Sequence, residues 1–353
     1  MPRTISSSVN IKFILSHKTK PLAVLNFGCC WVKIVIMGFM RNITRAMRAA
    51  AAVAALASVF VCSAAFAEPE ELEPRLLFEI RDYPDTGFFQ WISSISIDET
   101  GDTLAIVAGE PAGMFFYRRG SGSPVKQVLF KSGPEGGDWG RAAACGGKIL
   151  ASRGGKVFAA SESGELTEYG AAAAEEGFKA DILLCDRRGR LLMADRKAAR
   201  IARFDAEGAA ELRIAPPKDA KQAARFPLKS VADIATDYFG RVYALDPKSR
   251  AAIPFDESGR PMTPISGSAF SDAPFPWDSP AIAADTRGRV WLMNEYEDAL
   301  EARDAFGTPV ARVARQSSDG PRFISPVQLI VDSEDRLYAL DAASVSVKVF
   351  DLR

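Results

Sequence analysis

A single short pattern sets the strongest limit on what this chain can become: an apolar run, Asp, two variable residues, Gly, a basic residue and a second apolar run. It stands as CDRRGRLLMAD from Cys185, TDYFGRVYALD from Thr236, ADTRGRVWLMN from Ala284 and VDSEDRLYALD from Val331. Weaker copies are IDETGDTLAIV from Ile97 and AACGGKILAS from Ala143. The key position falls at 98, 144, 186, 237, 285 and 332, so neighbouring copies are 46, 42, 51, 48 and 47 residues apart. Periods of this length belong to repeat folds in which each unit buries its apolar faces against the next.

Each copy reads as a hairpin. The Asp accepts hydrogen bonds from backbone two residues on, and Gly supplies the left-handed conformation that closes the turn. Gly101, Gly147, Gly189, Gly240 and Gly288 hold that place in five copies, and Asp335 holds it in the sixth. A third strand with its own Asp-x-x-Gly turn follows, as in ARIARFDAEG (199–208) and RAAIPFDESG (250–259), and then a fourth, as in AELRI (210–214). Such four-stranded meanders arranged radially make an all-β, six-bladed β-propeller. The last repeat stops after its third strand, whereas PRLLFEIRDY (74–83) precedes the first. Closure by this N-terminal strand, as the outer strand of the last blade, is therefore expected. It would remove an edge open to wrong pairing.

The repeats fill 68–353, and what precedes them has a different composition. Residues 1–67 hold eight Lys and Arg and no acid, so the formally neutral chain has a net charge of −8 over 68–353. Met40–Arg48 is a cationic stretch, Ala49–Val61 an apolar run, and Ala65-Phe66-Ala67 a small-x-small site. Together they read as a signal peptide over 40–67. Residues 1–39 then belong to an over-extended start or an unstructured leader. The expected location is periplasmic or extracellular, with no stable membrane span once the leader is removed. The one histidine, His17, falls in the leader, which leaves 68–353 without imidazole for a catalytic triad, zinc or haem. Cys145 and Cys185 alone remain of five cysteines, and an oxidising compartment permits a disulfide between them. The net negative charge argues against a nucleic-acid partner.

The motif D-x-x-G-R-[VL]-Y-[AV]-x-D followed by F-D-x-x-G resembles the NHL-repeat family of six-bladed propellers. The lead-ins Phe226-Pro227, Ser279-Pro280 and Phe323–Pro326 are also similar to that family. The resemblance covers 68–353, strongly in the last four copies and weakly in the first two. It implies a non-catalytic binding or scaffold platform for a protein, peptide or glycan partner, without a cofactor. The alternative is a calcium-dependent lactonase- or esterase-like hydrolase of the gluconolactonase type. For that class Asp181 is the weak metal-ligand candidate and Gln90 stands where a Glu is expected, so no catalytic residue is assigned.

In a propeller the connections into the first strands and the turns after the second strands share one face. Here those connections are long, and each carries an aromatic: Phe89 and Trp91, Trp139, Phe178, Phe226, Trp277 or Phe323. The second strands end at Asp195, Asp246, Asn294 and Asp341. A functional reading is an acidic, aromatic face for a cationic peptide, a basic protein or a sugar. Packing between blades and turn capping account more simply for the Phe and Asp positions. Trp139 and Trp277, beside Asp138 and Asp278 in Gly- and Pro-rich loops, are the binding candidates. On the opposite face Lys148, Arg190, Arg241, Arg289 and Arg336 repeat at one position, and are read as solvated side chains with stems over apolar neighbours. N-terminal sequencing of the purified protein should begin at Glu68; residues before Arg45 in the product would overturn the leader assignment.

Overall fold

The computed structural model describes residues 69–353 apart from 85–86, 110–111, 132–139, 170–176, 267–274, 277, 295–297 and 319. It also describes the backbone of three strands nearer the N-terminus, β1 (Asn10–Ile14), β2 (Leu22–Phe27) and β3 (Cys30–Val35), which pair consecutively as one antiparallel sheet. These belong to a unit spanning 1–65, separate from the unit spanning 66–353. The proposed apolar run 49–61 and cleavage site lie outside the described residues. Among the described residues no helix is long and apolar enough to cross a membrane.

The second unit is a six-bladed propeller. The chain enters through β4 (Glu70–Glu71), β5 (Arg75–Ile80) and a small hairpin of β6 (Asp82–Tyr83) and β7 (Gly87–Phe88). Blade 1 is β8 (Ile92–Asp98), β9 (Thr103–Gly109), β10 (Ala112–Arg118) and β11 (Pro124–Leu129). Blade 2 is β12 (Ala142–Cys145), β13 (Lys148–Arg153), β14 (Lys156–Ala160) and β15 (Leu166–Glu168). Blade 3 is β16 (Ile182–Cys185), β17 (Leu191–Asp195), β18 (Arg200–Phe204) and β19 (Ala210–Ile214). A short helix, α1 (Ala220–Arg225), leads to blade 4, made of β20 (Asp233–Thr236), β21 (Val242–Asp246) and β22 (Ala251–Phe255). Blade 5 is β23 (Ile282–Ala284), β24 (Val290–Asn294), β25 (Ala299–Arg303) and β26 (Pro309–Ala314). A two-strand hairpin, β27 (Gln316–Ser317) and β28 (Gly320–Pro321), precedes blade 6, made of β29 (Pro326–Val331), β30 (Arg336–Asp341) and β31 (Ser346–Asp351).

Every pairing within a blade is antiparallel and sequential, and the innermost strands β8, β12, β16, β20, β23 and β29 neighbour one another in ring order back to β8. Closure follows the expected route: β5 pairs antiparallel with β31, Val347 facing Ile80 and Asp351 facing Arg75. Just upstream, β4 lies parallel to β26 of blade 5, where Leu72 N–H donates to Arg312 C=O at 2.7 Å and Arg312 meets Glu71 at 2.9 Å. The N-terminal segment thus ties the outer edges of the last two blades. Blade 4 departs from the four-stranded pattern: among the described residues its outer position holds two isolated bridges, Ala252 to Ile265 and Phe255 to Pro261. Pro261 and Pro264 have no N–H for a ladder, so the strand cannot extend.

The repeated motif is a compact hydrogen-bond module. In blade 5, Asp285 Oδ1 accepts from the backbone N–H of Arg287 and Arg289 at 3.0 and 2.9 Å, and Oδ2 accepts from Arg289 Nε at 2.6 Å and Trp291 Nε1 at 3.0 Å. Blade 6 repeats this at Asp332 with Glu334, Arg336 and Tyr338, and blade 4 at Asp237 with Phe239, Arg241 and Tyr243. Blade 3 has the same contacts at Asp186 but Leu192 in place of the aromatic donor. The carboxylates are buried, and burial followed by the facing aspartate pushes the Tyr243 and Tyr338 hydroxyls far above the ordinary phenol range, so both stay donors.

Two expectations are corrected here. Arg190, Arg241, Arg289 and Arg336 are not solvated: each folds back on its own turn's aspartate, 2.5–2.7 Å away, and all four are largely buried. In blade 1 the left-handed residue is Asp102 (φ 49°), not Gly101, because its hairpin is one residue longer, with Asp98 opposite Thr103. That extra residue removes the basic partner from the repeat position, and Asp98 instead accepts from Thr100 and Gly101. Removing one carboxylate should strand a buried cation. Asp285→Ala is therefore expected to lower unfolding free energy by about 3–5 kcal/mol in chemical denaturation. Asp278→Ala at an exposed site should change it by less than about 0.5 kcal/mol.

Candidate functional site

Both ends of the central channel are closed by charged side chains held across the ring. At the end formed by the inner hairpin turns, Arg187 of blade 3 reaches blade 6, donating through Nη2 to the carbonyls of Val331 and Asp332 at 3.1 and 3.3 Å. Its Nε lies 3.5 Å from Glu99 of blade 1, and Glu99 accepts from Ser333 N–H at 2.9 Å. Behind this plug is a cavity of about 40 Å³ walled by Leu184, Ile234, Ile282 and Ile330. At the other end Arg141, before β12, pairs with Asp233 of β20 at 3.6 Å, both buried. Burial lowers the guanidinium's pKa and raises that of the carboxyl, and the nearby Arg196 adds to the first effect.

The face at that second end carries the turns after the second strands and the long connections. The acids that end its second strands, Asp195, Asp246 and Asp341, are buried and engaged internally. Asp246 accepts from Lys229 N–H at 2.6 Å, Ser230 Oγ at 2.6 Å and Ser249 Oγ at 2.7 Å, tying the connection into blade 4 to the next turn. Asp195 does the same with Lys179 N–H, Ala198 N–H and Arg200, and Asp341 with Ile324 and Ser325 N–H. Asn294 donates to buried Glu301 at 2.9 Å. The connection aromatics pack as well: Phe89 lies 5.0 Å from Phe115, Phe323 is fully buried, and Phe178 and Phe226 are partly buried against core clusters. These Phe and Asp positions therefore serve packing and turn capping, as the simpler sequence reading has it.

Of the residues singled out for partner contact, Asp138, Trp139 and Trp277 lie outside the described residues, and Asp278 is exposed in the connection into β23. Asp181, the metal-ligand candidate, accepts from Arg196 N–H at 3.1 Å and lines a cleft with Arg153, Lys179 and Lys197, cations that oppose a divalent ion. Gln90 is exposed in the connection into blade 1, two blades away. Among the described residues no cluster of three or more His, Cys, Asp or Glu can hold a metal. Cys145 and Cys185, at the ends of the adjacent inner strands β12 and β16, are joined by a disulfide with Cα atoms 5.3 Å apart. Sequence reading missed the basic residues of the turns on this face. Their signal was there in Arg196-Lys197 and Lys248, directly after the second-strand acids.

The sequence matches no protein-family model and no curated protein. Among solved structures the chain is similar to virginiamycin B lyase from Staphylococcus aureus, at 12% identity over 80% of this chain and 100% of that one, with a TM-score of 0.51. A streptogramin B lyase structure aligns at 11% identity over 78% and 98%, with a TM-score of 0.46. At such identities the likeness to the first of these shows the propeller fold and nothing finer.

The capping acids carry a signature of their own. Burial pushes the carboxyls of Asp195, Asp246 and Asp341 up, but hydrogen bonds, joined by Arg200 at Asp195 and Lys348 at Asp341, outweigh it and hold all three below the ordinary value. Their stabilisation is then complete above the unfolded carboxyl pKa of about 3.9 and is lost as pH falls toward the folded values. Asp246→Asn should cost about 1–3 kcal/mol at neutral pH, since its bonds to hydroxyls and amides are weakened. It should also flatten the stability decline below about pH 4, measured by denaturation at stepped pH.

Proposed function

We propose that residues 68–353 act as an exported, non-catalytic binding platform of NHL type for a protein, peptide or glycan partner in the cell envelope, without a cofactor. The observation that carries this reading is the engagement of the buried acids: those at the inner turns hold Arg and aromatic donors, and those at the outer turns hold loop amides. Groups so engaged build a rigid frame and leave recognition to the connections between blades, where binding residues commonly sit. The Cys145–Cys185 disulfide fits an oxidising compartment and so supports export. The repeat motif, and its resemblance to NHL propellers, supports the platform role. Trp139, Trp277, Asp138 and Asp278, all on these connections, are the contact residues.

Two outcomes are expected. Non-reducing peptide mapping of the secreted protein should recover Cys145 and Cys185 in one linked peptide pair, and free thiols at both would count against export. Alanine at both Trp139 and Trp277 should weaken capture of partners from a cell-envelope extract at least tenfold with the melting temperature unchanged. Equal capture would remove the proposed contact site.

A further inference from the structure

A cleft of about 310 Å³ opens between blades 2 and 3 on the connection face. It is lined by Gly140 and the turn Ser152–Gly155 on one side, and by Lys179–Asp181 and Lys197 on the other. Its size is at the lower end of small-molecule sites. Three of its lining side chains are cationic, Arg153, Lys179 and Lys197, and one, Asp181, is acidic. Asp181 is turned to the backbone, accepting from Arg196 N–H at 3.1 Å. Lys179 and Lys197 are exposed.

The frame beneath these cations is fixed. Lys179 N–H donates to the buried Asp195 carboxylate at 3.0 Å, and the next residue, Ala180, donates to Gly155 C=O at 3.0 Å. Gly154 and Gly155 both have left-handed φ, 61° and 81°. A Cβ on Gly155 would stand 3.2 Å from Lys179 Cβ, so the glycine lets the lysine stem lie along the turn at the cleft wall. Two further cations lie nearby on blades 3 and 4: Arg196 is exposed beside the Arg141–Asp233 pair, and Lys248 is exposed on the matching turn of blade 4. A basic strip on a part of the chain with net charge −8 is a local inversion of sign, and such a field concentrates and orients anions.

We infer that this cleft binds an extended ligand carrying several oxyanion groups, carboxylate or phosphate, one of them seated among Arg153, Lys179 and Lys197. The inference rests on the platform reading and adds the ligand's charge class to it. It departs from the cationic partner that the sequence suggested, because the acids that end the second strands of this face are buried whereas Lys179 and Lys197 are exposed.

Calorimetric titration of the purified protein with oligogalacturonate and with polyphosphate tests it, the two probes separating a carboxylate from a phosphate source. At least one probe should bind, and Lys179→Glu with Lys197→Glu should weaken that binding tenfold or more while the melting temperature stays constant. The control is Arg188→Glu with Arg287→Glu, exposed residues of the inner turns on the opposite face, which make the same change in net charge. Affinity retained in that control assigns the effect to the cleft. Equal loss in both pairs, or no binding of either probe by the unaltered protein, overturns the inference. If neither probe binds while tryptophan-dependent capture persists, the anion site falls and the platform reading stands.

Discussion

The propeller depends on a buried carboxylate that satisfies four donors at once. In blades 4, 5 and 6 one oxygen of the inner-turn aspartate takes two backbone amides, and the other takes an Arg Nε and an aromatic O–H or N–H. A buried carboxylate without such partners would be strongly unfavourable, and so would the guanidinium. Together they turn a tight hairpin into a rigid corner from which the second strand departs at a fixed angle. The same logic recurs at the outer turns, where Asp205, Asp256 and Asp304 accept from amides that follow them. A repeat built this way needs no large core of its own, since each blade's apolar faces are covered by its neighbours.

This explains what was legible in the sequence. Spacing of the motif revealed six blades, because the geometry demands Asp, Gly and Arg at fixed offsets and leaves the rest free. The closing strand was legible because a blade with three strands leaves an edge and 74–83 had no other partner. Partnership was less legible. Nothing in a string of letters distinguishes an arginine folded onto its own turn from one in water, and Arg190 and Arg289 were misread on that account. The longer hairpin of blade 1 was hidden for a related reason: Gly101 kept the repeat position while Asp102 took over the backbone conformation. In blade 4 the prolines at 261 and 264 were a visible signal that the outer strand would fail.

The candidate site shows the same division. Composition correctly placed acids at the ends of the second strands, but whether they face solvent depends on the connections that fold over them. Asp246 and Asp341 are fully buried because backbone amides of those connections converge on them. Around the turn of blade 3 the residues left outside are those whose long stems reach past the caps, Lys179, Arg196 and Lys197. Near the cleft the sign of the exposed charge thus follows from the depth at which each group sits, not from the number of each kind.

Closure of the channel decides where such a face can act. Arg187 spans from blade 3 to carbonyls of blade 6 at one end, and Arg141 meets Asp233 at the other, so a ligand entering the axis would have to displace charged groups from their partners. The disulfide joins the inner strands of blades 2 and 3 at their inner-turn ends, opposite the face that bears the cleft. Among the described residues one concavity away from the axis lies between blades 2 and 3 at the rim. There the backbone is held by the capping aspartates while Lys179 and Lys197 are exposed, an arrangement that gives a stiff scaffold with adaptable tips. The small cavity behind Arg187 has mostly apolar walls, and it is better understood as a packing void of the closed axis than as a place for chemistry.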